Sequence, residues 1–177
     1  RKSHRRSCWE ITGRVMGNNA PLTFAAVQDC SALTIRALID TYAQTSPEKA
    51  FAVFPDTGSE LSWSQLQATC HKLNAYLHSL GAVPGDRIGM LSANGQSALE
   101  VFLGCMYGGF TVATFNPVAG DAALRYVLDH SEVTILFADE GNADAASQIC
   151  EEALPNLKVI RTRAIASLDL PDGEAVA

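Results

Sequence analysis

Short apolar runs recur along this chain at the spacing of one intervening helix, and that rhythm limits the fold more than any other feature. Ala50 to Phe54 (AFAVF), Arg87 to Leu91, Thr111 to Phe115 (TVATF), Val133 to Phe137 (VTILF) and Leu157 to Arg161 read as strands. They are continuous rather than alternating, as expected of strands covered on both faces. Between most of them lie helix-length segments. The expectation is an α/β layered domain with a mostly parallel sheet flanked by helices. A short strand at Glu60 to Trp63 follows the Asp56-Thr57-Gly58 turn.

The helices carry their own signals. Ile35, Leu38, Ile39 and Tyr42 share one face, with Thr34 as N-cap and Pro47 beyond the stop. Ser62 and Gln65 form an S-x-x-Q capping box, after which Leu66, Cys70, Leu73, Leu77 and Leu80 line one stripe and Gly81 ends the helix. Val83 to Asp86 is a turn. A third helix starts at Asn94 or Ser97, and Ser97 with Glu100 offers a second capping box. Its apolar residues, Leu99, Val101, Phe102, Leu103, Cys105 and Met106, run nearly all round, which predicts burial on more than one side. Gly104, Gly108 and Gly109 suit close packing and a C-cap. Asp121 is expected to cap a helix bearing Leu124, Val127 and Leu128, with Arg125 and Asp129 paired one turn apart. Asn142 to Ala153 is helical, and Ala164 to Ala177 is loop.

Composition excludes several classes. With 47% hydrophobic and 18% charged residues in 177, the chain suits one globular domain and not a disordered one. The net charge of −6 argues against a nucleic-acid partner. No apolar run approaches the ~20 residues of a membrane span, so no transmembrane segment is expected. Residues 1–16 hold five basic side chains against Glu10 alone, whereas the remainder holds eight basic and eighteen acidic residues. Residues 1–16 are expected to be a disordered basic extension, with the domain beginning at 17. Five widely spaced cysteines, at 8, 30, 70, 105 and 150, without a C-x-x-C pair predict free thiols and a cytoplasmic setting. Cys70 and Cys105 read as small buried hydrophobes.

Reactive chemistry is not visible. There is no phosphate-binding glycine loop, no nucleophile elbow and no zinc-helix motif. His71 and His78 lie opposite the apolar stripe and ~10 Å apart along the axis, too far to share a metal, and read as a solvated face. Parallel sheets bind ligands beyond the carboxyl ends of their strands. Those ends are Ser92-Ala93-Asn94, Phe115-Asn116-Pro117 and Asp139-Glu140-Gly141, for which ordinary loop capping is the favoured reading. No catalytic, cofactor-binding or metal-binding residue is assigned.

Motifs in order give a resemblance. L-S-W-S-Q-L (61–66), G-A-V-P-G-D-R-I (81–88), Asn94 with Glu100, M-Y-G-G-F-T-V-A-T-F-N-P (106–117), L-R-Y-V-L-D-H-S (124–131) and V-T-I-L-F (133–137) together resemble the N-terminal part of an AMP-forming acyl-CoA synthetase of the adenylate-forming superfamily. The resemblance implies the N-terminal subdomain of that fold, with residues 17–177 ending before the phosphate loop. It implies a two-step reaction in the full-length enzyme: a carboxylic-acid substrate and ATP give an acyl-adenylate, and CoA then takes the acyl group. ATP, Mg²⁺ and CoA are its implied cofactors, none expected on this segment. The implied partner is the remainder of the ligase domain, and self-association is expected without it. Asn116-Pro117 resembles acyl-CoA synthetases more than peptide-synthetase adenylation domains. The basic residues that hold CoA phosphate in some relatives have no counterpart near Asn142-Ala143. Two other readings stay open: a stand-alone non-catalytic module that keeps this fold, and an ordinary nucleotide-binding domain.

Overall fold

The computed structural model describes residues 34–171; the expected basic extension at 1–16 lies outside them. The elements follow as α1 (Ile35–Thr45), β1 (Ala50–Phe54), β2 (Ser59–Ser62), α2 (Trp63–Ser79), β3 (Arg87–Leu91), α3 (Gln96–Gly108), β4 (Thr111–Thr114), α4 (Asp121–His130), β5 (Ile135–Asp139), α5 (Ala143–Ala153) and β6 (Lys158–Thr162). β3 to β6 form one parallel sheet in the order β4-β3-β5-β6, and β1 and β2 form a separate antiparallel hairpin. The fold is therefore α/β with a parallel sheet flanked by helices.

Alternation across β5 shows why the strands read as continuous apolar runs. Ile135 and Phe137 face the layer of α2 and α3, packing with Leu73, Leu77, Ile88, Val101 and Cys105. Leu136 and Ala138 face α4 and α5, packing with Leu91, Leu124, Leu128, Ala143, Ala146 and Ile149. All five residues of β5 are buried. Burying each large aliphatic side chain contributes roughly 1.5–3 kcal/mol. A third cluster, Ile39, Leu61, Leu66, Cys70 and Tyr107, joins α1 and the hairpin to α2 and α3. Trp63 extends it, stacked on Tyr42 at 4.6 Å and edge-on to Phe51 at 4.7 Å.

Local sequence sets the helix ends. Thr34 accepts from Ala37 N–H at 3.0 Å. The Ser62–Gln65 capping box is complete in both directions, and the Gly81 φ of +92° closes α2. α2 and α3 approach closely through Gly104 and Gly108. A Cβ on Gly104 would come within 2.6 Å of Leu73 Cδ2, and one on Gly108 would overlap the Asn74 amide oxygen. The Asn74 amide nitrogen ties the pair by donating to Cys70 O at 2.6 Å and Gly104 O at 2.9 Å.

Several expectations need correction. Ser97 and Glu100 do not form a capping box: Gly95 occupies the N-cap with no side-chain bond, because both side chains are taken by a distant segment described below. α3 is buried on more than one side as expected, with Val101 and Cys105 in one apolar cluster and Tyr107 in another, while Phe102 and Met106, at 38% and 40% exposure, leave its remaining side open. Gly120, not Asp121, precedes α4, and Asp121 lies inside the first turn. Arg125 reaches Glu152 on α5 at 3.4 Å, since the two helices pack side by side, and not Asp129. β5 starts two residues later than expected, because Ile135 pairs with Ile88 only after the chain turns through Glu132 at φ +58°. Of the expected solvated face, His71 is exposed and His78 half-buried, and both rings are also hydrogen-bonded, with His71 Nε2 2.7 Å from Tyr107 Oη and His78 Nδ1 2.9 Å from Ala82 O.

Candidate functional site

The strand order fixes where a ligand crevice would open. β3 leads through α3 on one face of the sheet, and β5 leads through α5 on the other. The helices diverge between the carboxyl ends of β3 and β5, the usual position of a ligand in such sheets. The expected loops meet there. Asp139, 3% exposed at the end of β5, accepts from Ala93 N–H at 2.7 Å across the gap. Its other oxygen accepts from Gly141 N–H and Asn142 N–H at 3.1 Å each, and from Asn142 Nδ2 at 2.7 Å. Burial pushes this carboxyl up, but the hydrogen bonds from Ala93 and Asn142 outweigh it and hold the group below the usual carboxylate value. The third loop ties to β3 where Phe115 N–H donates to Met90 O at 2.8 Å, and Asn116 makes a local turn in which its Oδ1 accepts from Val118 N–H at 3.0 Å. The structure thus joins the β3 and β5 ends through Asp139, and Asn116 takes no part in that junction.

The chain beyond β6 fills much of what remains. Residues 163–171 run as a strap across the start of α3. Ala164 O accepts from Ser97 N–H and Ser97 Oγ at 3.4 Å each. A Cβ on Gly95 would collide with that same carbonyl, so only glycine admits the strap. Ala164 N–H donates to Glu140 at 3.0 Å, and Leu170 is buried in the α2–α3 layer.

Glu100 holds the strap and was missed by reasoning from sequence. It is fully buried. Its carboxylate accepts from Leu168 N–H at 2.7 Å, from Ser167 Oγ at 3.1 and 3.2 Å, and from Gln96 Nε2 at 2.9 Å. Gln96 in turn accepts from Ser59 Oγ at 3.1 Å, so one hydrogen-bonded string runs from the hairpin through α3 to the strap. A glutamate inside an apolar helix was the available signal, since glutamate is almost never fully buried without partners.

Beside the strap lies a shallow recess of about 270 Å³, lined by Glu140, Arg161, Thr162, Arg163, Ser167 and Asp169. Arg161 is already paired with Asp144 at 2.6 Å. Cys70 and Cys105 are fully buried thiols, pushed up to about 12 by burial, and so sit in the setting of inert structural cysteines. Among the described residues no group of three His, Cys, Asp or Glu side chains is placed to hold a metal ion.

The sequence model of the AMP-binding enzyme family matches residues 39–176. The chain belongs to this family. It is 28% identical over 129 residues to sulfoacetate–CoA ligase of Cupriavidus necator, spanning 73% of this chain and 25% of that protein. It is 29% identical over 133 residues to a hybrid PKS-NRPS synthetase of Aspergillus violaceofuscus, spanning 73% of this chain and 4% of that protein. The chain therefore spans a quarter or less of these curated relatives. Its fold matches the crystal structure of a benzoate CoA ligase from Burkholderia xenovorans with a TM-score of 0.67 at 24% identity, over 77% of this chain and 27% of that one.

The residues present do not fit the family's nucleotide by themselves. The backbone donors at the β3 and β5 ends are spent on Asp139. The recess sets Glu140 and Asp169 beside its arginines, a poor lining for phosphate. The Asn142 amide, near which basic residues were expected to be missing, is turned inward on Asp139.

Proposed function

We propose that this chain is the N-terminal part of an AMP-forming carboxylic acid–CoA ligase and that it supplies scaffold rather than chemistry. The observation that carries this reading is the family match over 39–176 in a chain spanning only a quarter of the sulfoacetate–CoA ligase it resembles. The self-closed crevice supports it. Where an α/β enzyme would present a ligand, this segment presents Asp139, Glu100 and its own strap, all mutually satisfied. On this reading the remainder of the ligase domain binds ATP, Mg²⁺, CoA and the carboxylic acid, and forms the acyl-adenylate and then the acyl-CoA. The three cysteines among the described residues, Cys70, Cys105 and Cys150, are free and buried, which suits a cytoplasmic setting. Phe102 and Met106 on α3 form an apolar surface suited to contact with that remainder, or to self-association without it.

Pyrophosphate exchange tests the proposal. The chain alone, with ATP, Mg²⁺ and a panel of carboxylic acids, should show no exchange. An intact ligase carrying this segment should show exchange with at least one acid. Robust exchange by the chain alone, or none by the intact protein, would overturn it.

A further inference from the structure

We infer that α1 is a latch, docked on α2 and α3 by a one-way hydrogen-bond relay from His71 through Tyr107 to Asp40, and that breaking the relay releases α1 while the parallel sheet stays folded. The direction follows from the atoms. Asp40 Oδ1 lies 2.7 Å from Tyr107 Oη and 2.7 Å from Gln67 Nε2. An ionised carboxylate only accepts, so the single phenolic proton points at Asp40. Tyr107 Oη is then left with lone pairs alone for His71 Nε2, 2.7 Å away. His71 must donate, which fixes a proton on Nε2 and, in the neutral ring, leaves Nδ1 bare.

Tyr107 is the anchor on the other side. It is 6% exposed within the third apolar cluster. From α1, Arg36 Nε donates to Tyr107 O at 2.9 Å, and its guanidinium lies 4.8 Å over the ring. α1's apolar hold comes from Ile39 and Ala43, buried, with Ile35 packed beside them and Tyr42 stacked on Trp63 at 4.6 Å. The polar contacts to Tyr107 and Gln67 add a second hold that those apolar contacts do not replace. Release of α1 would bare Leu61, Leu66 and Tyr107 as an apolar trough.

The titratable and charged groups facing Asp40 are Arg36 from α1, His71 and Cys70 from α2, and Tyr107 from α3. Burial pushes Cys70 and Tyr107 up to about 12, so neither ionises at ordinary pH. Burial also pushes Asp40 up, but bonds from Gln67 and Tyr107 and the nearby His71 and Arg36 hold it below its ordinary value. A carboxyl lowered by folding stabilises above its unfolded value, and that contribution fades as pH falls through the lowered one. Asp40's contribution to the latch is therefore complete at neutral pH and fades in acid.

Segment-resolved amide exchange on the full chain at pH 7 tests this, comparing wild type with Tyr107→Phe and Asp40→Asn. Phenylalanine keeps the ring and removes only the hydroxyl. Exchange across Ile35–Thr45 should quicken about tenfold in both variants, with α3 and β5 unchanged. Nitrogen-15 NMR of wild type above the histidine titration should find His71 protonated at Nε2. Unchanged α1 exchange in both variants, loosening of β5 in step with α1, or a dominant Nδ1-protonated His71 would each overturn the inference. Should either variant fail to fold, the tautomer measured in wild type still decides.

Discussion

Replacing Glu100 by alanine removes the charged group that, alongside the two long Ser97 bonds to Ala164 O, ties the strap to α3. The carboxylate serves three donors: the Gln96 amide, the Ser167 hydroxyl and the Leu168 N–H. Hydrogen bonds to a charged group contribute about 1.5–3 kcal/mol each, so three of them left dry and unmet set a ceiling of roughly 5–9 kcal/mol. The ceiling is not reached, because Ser167 is exposed and a lifted strap lets both of its donors find water. What is then lost is the clamp's net worth together with part of the burial of Leu170. We expect a loss of about 2–4 kcal/mol. Glu100→Gln keeps the shape and one acceptor but turns an amide N–H₂ toward a donor, and should cost about 1–2 kcal/mol. Urea unfolding followed by circular dichroism reads both. At an m-value of ~1.5 kcal/mol/M, 3 kcal/mol lowers the midpoint by about 2 M. The Leu168 amide should lose its exchange protection in the alanine variant. An alanine variant within ~1 kcal/mol of wild type, with Leu168 still protected, would refute the clamp.

Gly108→Ala should be the costlier of two helix-interface changes, at roughly 2–3 kcal/mol, because its Cβ runs into the braced amide of Asn74. Gly104→Ala meets only the mobile end of Leu73 and should cost less, so thermal melts that rank the two the other way would contradict the packing. Asp139 is held below the usual carboxylate value, so its stabilisation is complete above about pH 4 and fades as pH falls through that lowered value. Asp139→Asn should therefore be less stable than wild type at pH 7 and show a flatter acid limb; parallel acid limbs would count against it. Cys70 and Cys105 should resist iodoacetamide at pH 8 in the native chain and react once it is unfolded, as read by peptide mass.

What was legible in the sequence was local. The Ser62–Gln65 box, the Thr34 cap and the Gly81 stop each involve residues a few positions apart, and all three formed as expected. The parallel sheet was legible too, since only strands covered on both faces read as unbroken apolar runs. The failures share a cause in distance along the chain. Glu100 reads as a capping partner of Ser97 only while Ser167 and Leu168, 67 and 68 positions away, are out of view. Arg125 has a good partner one turn away in Asp129, yet α5 brings Glu152 against it. His71 is exposed as it reads, but its bond to Tyr107 depends on α3, 36 positions away. At the crevice, three strand ends were expected with loop capping as the favoured reading; those at 92–94 and 139–141 are bonded together through the capping carboxylate of Asp139, and the strap beside them carries no pattern of its own.

The string from Ser59 through Gln96 and Glu100 to Leu168 also has a kinetic meaning. Its two ends are more than a hundred residues apart, and loop closure over such spans comes late in folding. During synthesis α3 is made long before Ser167, so Glu100 waits without its final donors until the last strand has been translated. A nascent chain paused short of that point would hold all four strands of the sheet while the Glu100 carboxylate still faced water, so the clamp closes only after the sheet it braces has been made.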